Sequence, residues 1–379
     1  MMKKILISLI GQLLFCSFVY ADVIAIPAPP GIKANAYLLQ DFDSGKILAS
    51  KNVNQKIPPA SLTKMMTVHV VSNELVSGRI TLDDEVLVSK KAWKMPGSRM
   101  FIEVNKKVTV DDLLKGVIIQ SGNDASVALA EHVSGSEEVF AELMNQYASM
   151  LGMTNSHFIN STGLPDEQHY TTAKDMAILA DALIRDAPEI YALHSVKEFT
   201  FNKITQQNRK KLLWRDPSVD GIKTGHTEAA GFCLVASAKK ENMRLISVVM
   251  GTESEGTREK ASQSLFAYGF RFYETQKLFG ANESITSVKI WKGDVKELVL
   301  GLDTDLYVTF PRGQKNQLTA KFNLSDKYIA PVNKSDVQGN LKITLANEDI
   351  ADAKLIALQS VSEGSVIVRM KDNFLLLFE

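Results

Sequence analysis

The sequence of 379 residues has only two cysteines, Cys16 and Cys233. Cys16 lies in an N-terminal apolar stretch that we expect to be removed, which leaves Cys233 as the sole cysteine of the mature chain. An internal disulfide bond is thereby excluded. A single cysteine between Phe232 and Leu234 is more typical of a small apolar strand residue than of a nucleophile. The sequence therefore favours neither a disulfide scaffold nor a cysteine enzyme.

The sequence also lacks an excess of charge of either sign, with 43 Lys and Arg residues against 43 Asp and Glu residues. Removal of Lys3 and Lys4 with the N-terminal segment leaves 41 basic residues against 43 acidic ones, a net charge of about −2. A charge of that size does not attract nucleic acid, so we expect no nucleic-acid partner. The six histidines show no His-Glu-x-x-His or similar ligand spacing. We therefore predict no metal and no other cofactor.

The N-terminal apolar run over 5–20 is too short to span a bilayer comfortably. It follows the basic start Met-Met-Lys-Lys and ends at Val-Tyr-Ala, which supplies the small residues that a signal peptidase reads. We predict a signal peptide over 1–21 and an exported mature chain that begins at Asp22. An uncleaved membrane anchor is the alternative. Phe15 stands where a lipoprotein signal needs a small residue, which argues against lipidation at Cys16.

The mature chain is long enough for two domains, and the first, over 22–279, mixes helical and strand patterns. The predicted elements are a hairpin over 36–40 and 47–49, helices over 61–76, 111–120, 125–133 and 136–151, strands over 220–227, 231–238 and 243–252, and a helix over 256–277. This order predicts an α/β (α+β) fold, in which a sheet carries an inserted helical cluster.

After about residue 280 the pattern changes to short strand-like runs separated by Gly, Pro, Asn and Asp. The runs lie at 287–291, 306–310, 318–323 and 341–345. We predict a smaller all-β domain over 280–363, with no visible catalytic constellation.

The C-terminal residues 364–379 regain a helical period, with Ile367, Met370 and Phe374 on one face and Arg369 and Asp372 on another. The segment is too short to span a bilayer, and we predict an amphipathic tail that lies on the membrane surface. A terminal helix or strand packed on the β-rich domain is the alternative.

The first motif with chemical content is Ser-x-x-Lys at 61–64, which follows Pro58 and Pro59. The predicted helix start places the Ser61 hydroxyl and the Lys64 amine on one face, within hydrogen-bond reach. The positive end of the helix favours an oxyanion there, and an apolar, cation-flanked pocket lowers the pKa of a lysine so that it can accept the serine proton. A second match, at 237–240, lies at the end of a predicted strand, where alternation separates the two side chains. We assign Ser237 no catalytic role.

Two further motifs are weak when taken alone. Ser121 and Asn123, in a Ser-Gly-Asn triplet, lie between two predicted helices, where Gly122 allows the backbone to turn and both side chains to face one cleft. A helix-linking turn is the simpler interpretation.

The Lys-Thr-Gly triplet at 223–225 lies on a predicted strand, where Gly225 lets another backbone approach as an added strand. Lys223 and Thr224 then offer a charge and a hydroxyl to a substrate carboxylate. The backbone N–H of His226 can contribute to an oxyanion hole. For the His226 side chain, a local structural role is about as plausible as a catalytic one.

The order of the three motifs is informative, because they are separated by 60 and 102 residues and occur together in one enzyme superfamily. With their surroundings at 59–64, 116–125 and 220–227, they resemble the low-molecular-mass penicillin-binding D-alanyl-D-alanine carboxypeptidases. The resemblance covers nearly the whole mature chain. It implies a catalytic domain of the serine β-lactamase and transpeptidase type, followed by the all-β domain.

The resemblance also implies roles for these residues. Ser61 would be acylated, Lys64 would act as its general base, and Ser121 would pass the proton to the departing D-alanine. Asn123 would hold the peptide, and Lys223 with Thr224 would hold the terminal carboxylate. The implied partners are peptidoglycan stem peptides and, as covalent inhibitors, β-lactams. The implied location is peripheral, on the periplasmic face of the bacterial inner membrane.

Three alternatives stay open at this point. A β-lactamase needs a glutamate to activate the deacylating water, and the candidates are Glu142, in a predicted helix, and Glu198, beside a strand-like run. A D,D-endopeptidase would use the same chemistry, but such relatives usually lack the second domain. A non-catalytic binding protein would be expected to have a broken motif, and none is broken here.

Overall fold

The computed structural model describes residues 26–378, and the predicted signal peptide over 1–21 lies outside the described residues. The strands are β1 Ala36–Asp41, β2 Ile47–Lys51, β3 Glu85–Leu87, β4 Lys107–Thr109, β5 Glu198–Phe201, β6 Ile204–Gln207, β7 Val219–Thr227, β8 Gly231–Lys240, β9 Met243–Thr252, β10 Tyr273–Phe279, β11 Thr286–Trp291, β12 Glu297–Gly301, β13 Leu306–Pro311, β14 Leu318–Leu324, β15 Tyr328–Ile329, β16 Val337–Leu345 and β17 Glu348–Ala357. The α-helices are α1 Thr63–Val76, α2 Lys90–Trp93, α3 Val110–Lys115, α4 Asn123–Ser134, α5 Glu137–Met150, α6 Ala173–Asp186, α7 Pro188–Ala192, α8 Leu212–Arg215, α9 Glu255–Phe272 and α10 Val366–Leu375.

The central sheet of the first domain is antiparallel, with strand order β2-β1-β9-β8-β7. Side chains alternate across it, because successive strand residues point to opposite faces. Leu38 and Val248 pack with the helical cluster that includes α1, α4 and α6, whereas Leu39 and Val249 pack under α9. The sheet is therefore covered on both faces, as the α/β prediction requires, and β7 is left as an edge strand.

Most predicted elements of this domain are present, and the hairpin of β1 and β2 and the meander of β7, β8 and β9 are confirmed. The helix predicted over 256–277 was wrong at its C-terminal end, because α9 stops at Phe272. The next seven residues form β10, which pairs with β13 of the following β-rich part. The pairing partner lies far away in the sequence, so local periodicity did not reveal this strand.

The β-rich part has a six-stranded sheet of order β14-β16-β17-β12-β11-β15, beside the β10–β13 ribbon. Its core is apolar, with Phe310, Leu341 and Leu355 among the fully buried side chains. A small polar network joins it to the first domain, since the Thr275 hydroxyl donates to the buried Asp41 carboxylate over 2.7 Å. The Thr309 hydroxyl lies 2.6 Å from that of Ser44 in the same network.

The C-terminal helix α10 begins after Ser365, whose hydroxyl accepts the N–H of Val368. It contacts the β-rich part on its polar side, where the Asp372 carboxylate accepts the backbone N–H of Lys292 over 2.6 Å. Its apolar side is uncovered, and Ile367 is 79% exposed. Among residues 26–378, no helix is both long and apolar enough to cross a membrane.

Candidate active site

Ser61 lies in a 3₁₀ turn over Ala60–Leu62, directly before α1. Two glycines allow this turn to pack closely on its neighbours. A Cβ on Gly163 would lie 1.8 Å from the Ala60 carbonyl oxygen, and a Cβ on Gly225 would lie 3.0 Å from the Pro59 carbonyl oxygen. The turn therefore sits between the loop at Gly163 and the edge strand β7, with the Ser61 side chain only partly buried.

Lys64 is fully buried one turn further along and donates three hydrogen bonds. Its Nζ lies 3.3 Å from Ser61 Oγ, 2.7 Å from Asn123 Oδ1 and 2.6 Å from the Thr162 carbonyl oxygen. Burial, with the nearby Arg209 guanidinium, lowers the pKa of Lys64 to about 7. A large fraction of the Lys64 amine is thus neutral near pH 7. Only the neutral amine can accept the Ser61 proton as a base.

Ser121 ends the π-helical turn Gly116–Gln120 and has a left-handed backbone, with φ of 66°. We predicted that Gly122 would make this turn, and that was wrong, because Gly122 has φ of −60°. Gly122 is instead needed for space, since a Cβ there would lie 2.9 Å from Asp124 Oδ1. The left-handed residue turns the Ser121 hydroxyl into the cleft.

Lys223 approaches the same cleft from β7. Its Nζ donates to Ser121 Oγ over 2.9 Å and to the Thr224 carbonyl oxygen over 2.9 Å. Burial and the neighbouring cations, Lys64 foremost among them, lower the pKa of Lys223 well below its ordinary value. A bound carboxylate would oppose this effect, because an anion stabilises the ammonium form.

Asn123 begins α4, and both ends of its amide have partners. Oδ1 accepts from Lys64, and Nδ2 donates to the Pro96 carbonyl oxygen over 2.6 Å. The next residue, Asp124, accepts the backbone N–H groups of Met100 and Phe101. The segment at 96–102 is thus bound directly to the Ser-Gly-Asn motif and forms one wall of the cleft.

The Lys-Thr-Gly strand presents its edge to this cleft, and Thr224 and Gly225 are both buried on it. We predicted that Gly225 makes room for the backbone of an added strand. The backbone that approaches the Gly225 α-carbon in the structure is instead the protein's own turn at Pro59–Leu62. His226 is exposed, and its ring stacks on Phe232 with 3.9 Å between centroids. The Arg258 guanidinium donates to the Gly225 carbonyl oxygen from behind the strand.

The structure thus brings together seven of the eight predicted site residues by hydrogen bonds or close packing, and places His226 beside them at the cleft edge. Ser237 lies elsewhere on β8, where its hydroxyl accepts from Arg244 rather than from a lysine.

Sequence reasoning missed several groups that support the site. The Thr162 carbonyl oxygen binds Lys64, the Arg209 guanidinium donates to the Gln120 carbonyl oxygen, and the buried Lys210 donates to the Ile118 carbonyl oxygen. Backbone carbonyls carry no signal in a sequence. A run of Asn-Arg-Lys at 208–210 after two strands did offer a signal, as a cluster of cations beside the motifs.

Known proteins share this architecture. A family profile described as "D-alanyl-D-alanine carboxypeptidase" matches residues 24–254. The chain belongs to that family. A second profile, described as "Penicillin-binding protein 5, C-terminal domain", matches residues 273–363, which begin at the first residue of β10.

Individual members of the carboxypeptidase family are similar over most of their length. D-alanyl-D-alanine carboxypeptidase DacC of Escherichia coli (strain K12) is 45% identical over 357 residues, which are 92% of this chain and 89% of that protein. The crystal structure of penicillin-binding protein 5 from Haemophilus influenzae is 44% identical and has a TM-score of 0.87, over 89% of this chain and all of that one. Penicillin-binding protein D2 from Listeria monocytogenes, in its ampicillin-bound form, has a TM-score of 0.59 at 27% identity and covers 64% of this chain and 100% of its own.

Proposed function

We propose that the protein removes the terminal D-alanine from peptidoglycan pentapeptides by way of an acyl-enzyme on Ser61. One observation carries the proposal. Two buried lysines converge on two serine hydroxyls, Lys64 on Ser61 and Lys223 on Ser121, in a chain of this carboxypeptidase family.

In the proposed acylation step, Lys64 accepts the Ser61 proton as Oγ attacks the carbonyl carbon of the penultimate D-alanine. The oxyanion that forms accepts the backbone N–H groups of Ser61 and His226. The C–N bond then breaks, and Ser121 delivers its proton to the nitrogen of the departing D-alanine. The proton that Lys64 took from Ser61 restores the Ser121 hydroxyl and leaves Lys64 neutral again. Lys223, bonded to Ser121 Oγ, orients that hydroxyl for the transfer.

Substrate binding uses the edge of β7 in this proposal. Lys223 and the Thr224 hydroxyl bind the terminal carboxylate of the substrate. This carboxylate, rather than an anion of the protein, balances the charge of the Lys223 ammonium group. Gly225 keeps the nucleophile's turn close to that edge. Asn123 exchanges its bond to Pro96 for one to the substrate peptide, because its amide is already at the cleft wall.

Water completes the cycle by attacking the ester on Ser61 and releasing the shortened peptide. A β-lactam would enter by the same attack, and its opened ring would stay attached as an acyl-enzyme. The solved ampicillin-bound form of penicillin-binding protein D2, which is similar to 64% of this chain, supports β-lactam binding.

The test of the function is product analysis by mass spectrometry on a pentapeptide and on a crosslinked peptide dimer. We expect release of one D-alanine from the pentapeptide and little cleavage of the dimer. Cleavage of the dimer with the pentapeptide left intact would indicate an endopeptidase. Fast turnover of penicillin with neither peptide cleaved would indicate a β-lactamase, for which Glu142 and Glu198, both exposed, were the candidate residues.

We also propose that the protein is exported by the segment at 1–21 and held at the periplasmic face of the inner membrane by α10. The uncovered apolar side of this helix supports surface attachment, with Ile367, Met370 and Phe374 each more than half exposed. Membrane fractionation of the signal-cleaved chain and of a version that ends at Glu363 tests this. If the two fractionate alike, α10 is not the attachment.

A further inference from the structure

A buried glutamate lies behind the loop that binds the proposed general base. Ser136 caps helix α5, since its hydroxyl accepts the backbone N–H of Val139. Glu137 and Glu138 follow in the first turn, where the positive end of the helix stabilises carboxylates. The Glu138 side chain is 76% exposed, whereas the Glu137 side chain is only 9% exposed. A carboxylate as buried as that of Glu137 costs folding free energy unless it is paired and hydrogen-bonded.

The Glu137 carboxylate bonds to a loop on one side and to a lysine on the other. Its Oε1 accepts the backbone N–H of Ser161 over 3.1 Å and the Ser161 hydroxyl over 2.8 Å. Its Oε2 lies 3.0 Å from Lys91 Nζ. Ser161 is fully buried, and its carbonyl oxygen accepts the hydroxyl of Thr67, in α1, over 2.7 Å. Glu137 and Thr67 thus hold Ser161 from two different helices.

The same loop provides one of the three acceptors of the Lys64 amine. The carbonyl oxygen of Thr162, directly after Ser161, accepts from Lys64 Nζ over 2.6 Å, which is the shortest of the three bonds. Asn160 Oδ1 accepts both the backbone N–H and the hydroxyl of Thr162, which tightens the turn. The Glu137 carboxylate therefore acts on Lys64 through the loop rather than by contact with a reacting atom.

The Thr162 carbonyl matters for the direction of the base. A neutral lysine amine has two N–H groups to donate and one lone pair. When Lys64 is neutral, its two N–H groups bond to the Thr162 carbonyl oxygen and to Asn123 Oδ1. The lone pair then faces the third neighbour, the Ser61 hydroxyl, from which it takes the proton in the proposed acylation. A displaced Thr162 carbonyl would leave the amine free to turn away from Ser61.

The charge of Glu137 also acts on Lys64 across the loop. Burial and the Arg209 guanidinium hold the pKa of Lys64 down at about 7, against the carboxylates of Asp124 and Glu137, which raise it. The Lys223 ammonium, on β7, also faces Lys64. Asp124 and Arg209 bind backbone groups around the Ser-Gly-Asn motif as well. Glu137 is therefore the charge that can be removed with the least change to the cleft.

We propose that Glu137 is a positioning residue for the base: its carboxylate fixes the loop whose Thr162 carbonyl oxygen binds the Lys64 amine, and it places a negative charge behind that amine. The inference rests on the proposed function, in which Lys64 takes the Ser61 proton. It adds a residue outside the three motifs to the groups that control this proton transfer.

The test is the pH profile of acylation by a labelled penicillin between pH 5 and pH 9. Its midpoint is the pH at which the rate is half of the plateau reached at high pH. Glu137→Gln keeps an oxygen that accepts from Ser161 but removes the charge, so the midpoint should move to lower pH by about 0.5 to 1 pH unit. The plateau rate should fall by no more than about threefold. Glu137→Ala also removes the oxygen, so its plateau rate should fall by about ten- to hundredfold.

Two variants of neighbouring residues check the locality and the sign of the effect. Glu138→Gln is the matched control, because Glu138 pairs with the same lysine, Lys91, over 2.8 Å but is exposed. Its midpoint and plateau should be those of the wild type. Lys91→Gln removes the cation that offsets the Glu137 charge, so its midpoint should move to higher pH. That shift should be the smaller one, since Lys91 is 43% exposed and screened by solvent.

A midpoint that is unchanged in Glu137→Gln, or a plateau that falls equally in Glu137→Gln and Glu137→Ala, would overturn the inference. Should Glu137→Gln fail to fold, Lys91→Gln decides, and an unchanged or lower midpoint there has the same meaning. These outcomes leave the carboxypeptidase function in place, because the wild type still releases D-alanine and takes label on Ser61. If the wild type takes no label, the proposed function is wrong and the inference is overturned with it.

Discussion

The two parts of the molecule differ in what they bury. The first domain buries three lysines, Lys64, Lys210 and Lys223, each no more than 3% exposed. In the β-rich part over 280–363, the buried polar side chains are Thr309, Gln314 and Thr344, and none of them is charged. A buried charge costs folding free energy, so we interpret the three buried lysines as retained for the proposed chemistry. The β-rich part shows no such cost, because its buried polar side chains are uncharged.

The largest expected effect comes from removing one of the buried amines. Lys64→Ala should lower the rate of acylation by a labelled penicillin by about 10²- to 10⁴-fold, since Lys64 is the proposed base and its Nζ is hydrogen-bonded to Ser61 Oγ. The rate is measured by stopping the reaction at intervals and counting label. Lys106→Ala, which removes an exposed lysine, is the control. Acylation at the wild-type rate in Lys64→Ala would refute the assigned base.

A matching change in the β-rich part should affect stability alone. Phe310→Ala should reduce the free energy of unfolding of that part by about 3 to 5 kcal/mol, because Phe310 is fully buried in its core. Phe322→Ala, at a side chain 44% exposed, should cost far less. Thermal unfolding and penicillin acylation are measured on both variants. A slower acylation in Phe310→Ala at a temperature where the protein stays folded would mean that the β-rich part contributes to the site.

A smaller effect of opposite sign is expected at Lys210. Burial lowers the pKa of Lys210 to about 7, and the hydrogen bond from its amine to the Ile118 carbonyl oxygen is 3.4 Å long. Between pH 7 and the ordinary pKa of 10.5, the Lys210 amine is protonated in the unfolded chain and mostly neutral in the folded one. The unfolded chain therefore binds more protons, and the free energy of unfolding of the wild type rises with pH across that window. Lys210→Met should therefore be more stable than the wild type by about 1 to 3 kcal/mol below pH 7, with the advantage shrinking toward pH 10.

Melting temperatures of Lys210→Met and of Lys106→Met at pH 6 and pH 9 measure this effect. A Lys210→Met variant that is less stable than the wild type at pH 6 would show that the buried amine contributes more through its contacts than it costs.

The last expected effect needs no substitution, and it is the pH dependence of the wild-type enzyme itself. Because the proposed base is the neutral form of Lys64 and the pKa of Lys64 is about 7, the acylation rate should rise about tenfold per pH unit below 7 and level off above it. Rates between pH 5 and pH 9 measure the profile. A rate that is independent of pH over this range would mean that Lys64 does not change protonation state there.

Much of this organisation could be predicted from the sequence, because the signals were local. The turn at 43–46 between two apolar runs predicted the first hairpin, and the polar turn after Ala238 predicted the pair β8 and β9. The Ser-x-x-Lys spacing predicted the contact between Ser61 and Lys64, since residues three apart share a helix face.

Other features depended on contacts between distant parts of the chain. The end of α9 at Phe272 follows from the pairing of β10 with β13, which are separated by more than twenty residues. Ser121 has a positive φ directly after the π-helical turn Gly116–Gln120, and the next residue, Gly122, packs closely on Asp124. The Thr162 carbonyl reaches Lys64 from a loop that had no motif of its own.

The central claim is that Ser61, placed by its turn between Lys64 and β7, is the nucleophile. The most direct measurement is peptide mapping by mass spectrometry after reaction with a labelled penicillin, on the wild type, Ser61→Ala and Ser237→Ala. Ser237 offers the matched serine, since it also precedes a lysine by three residues. We expect one adduct, on Ser61, which is lost in Ser61→Ala and kept in Ser237→Ala. An adduct that persists in Ser61→Ala, or that maps to Ser237, would contradict the account.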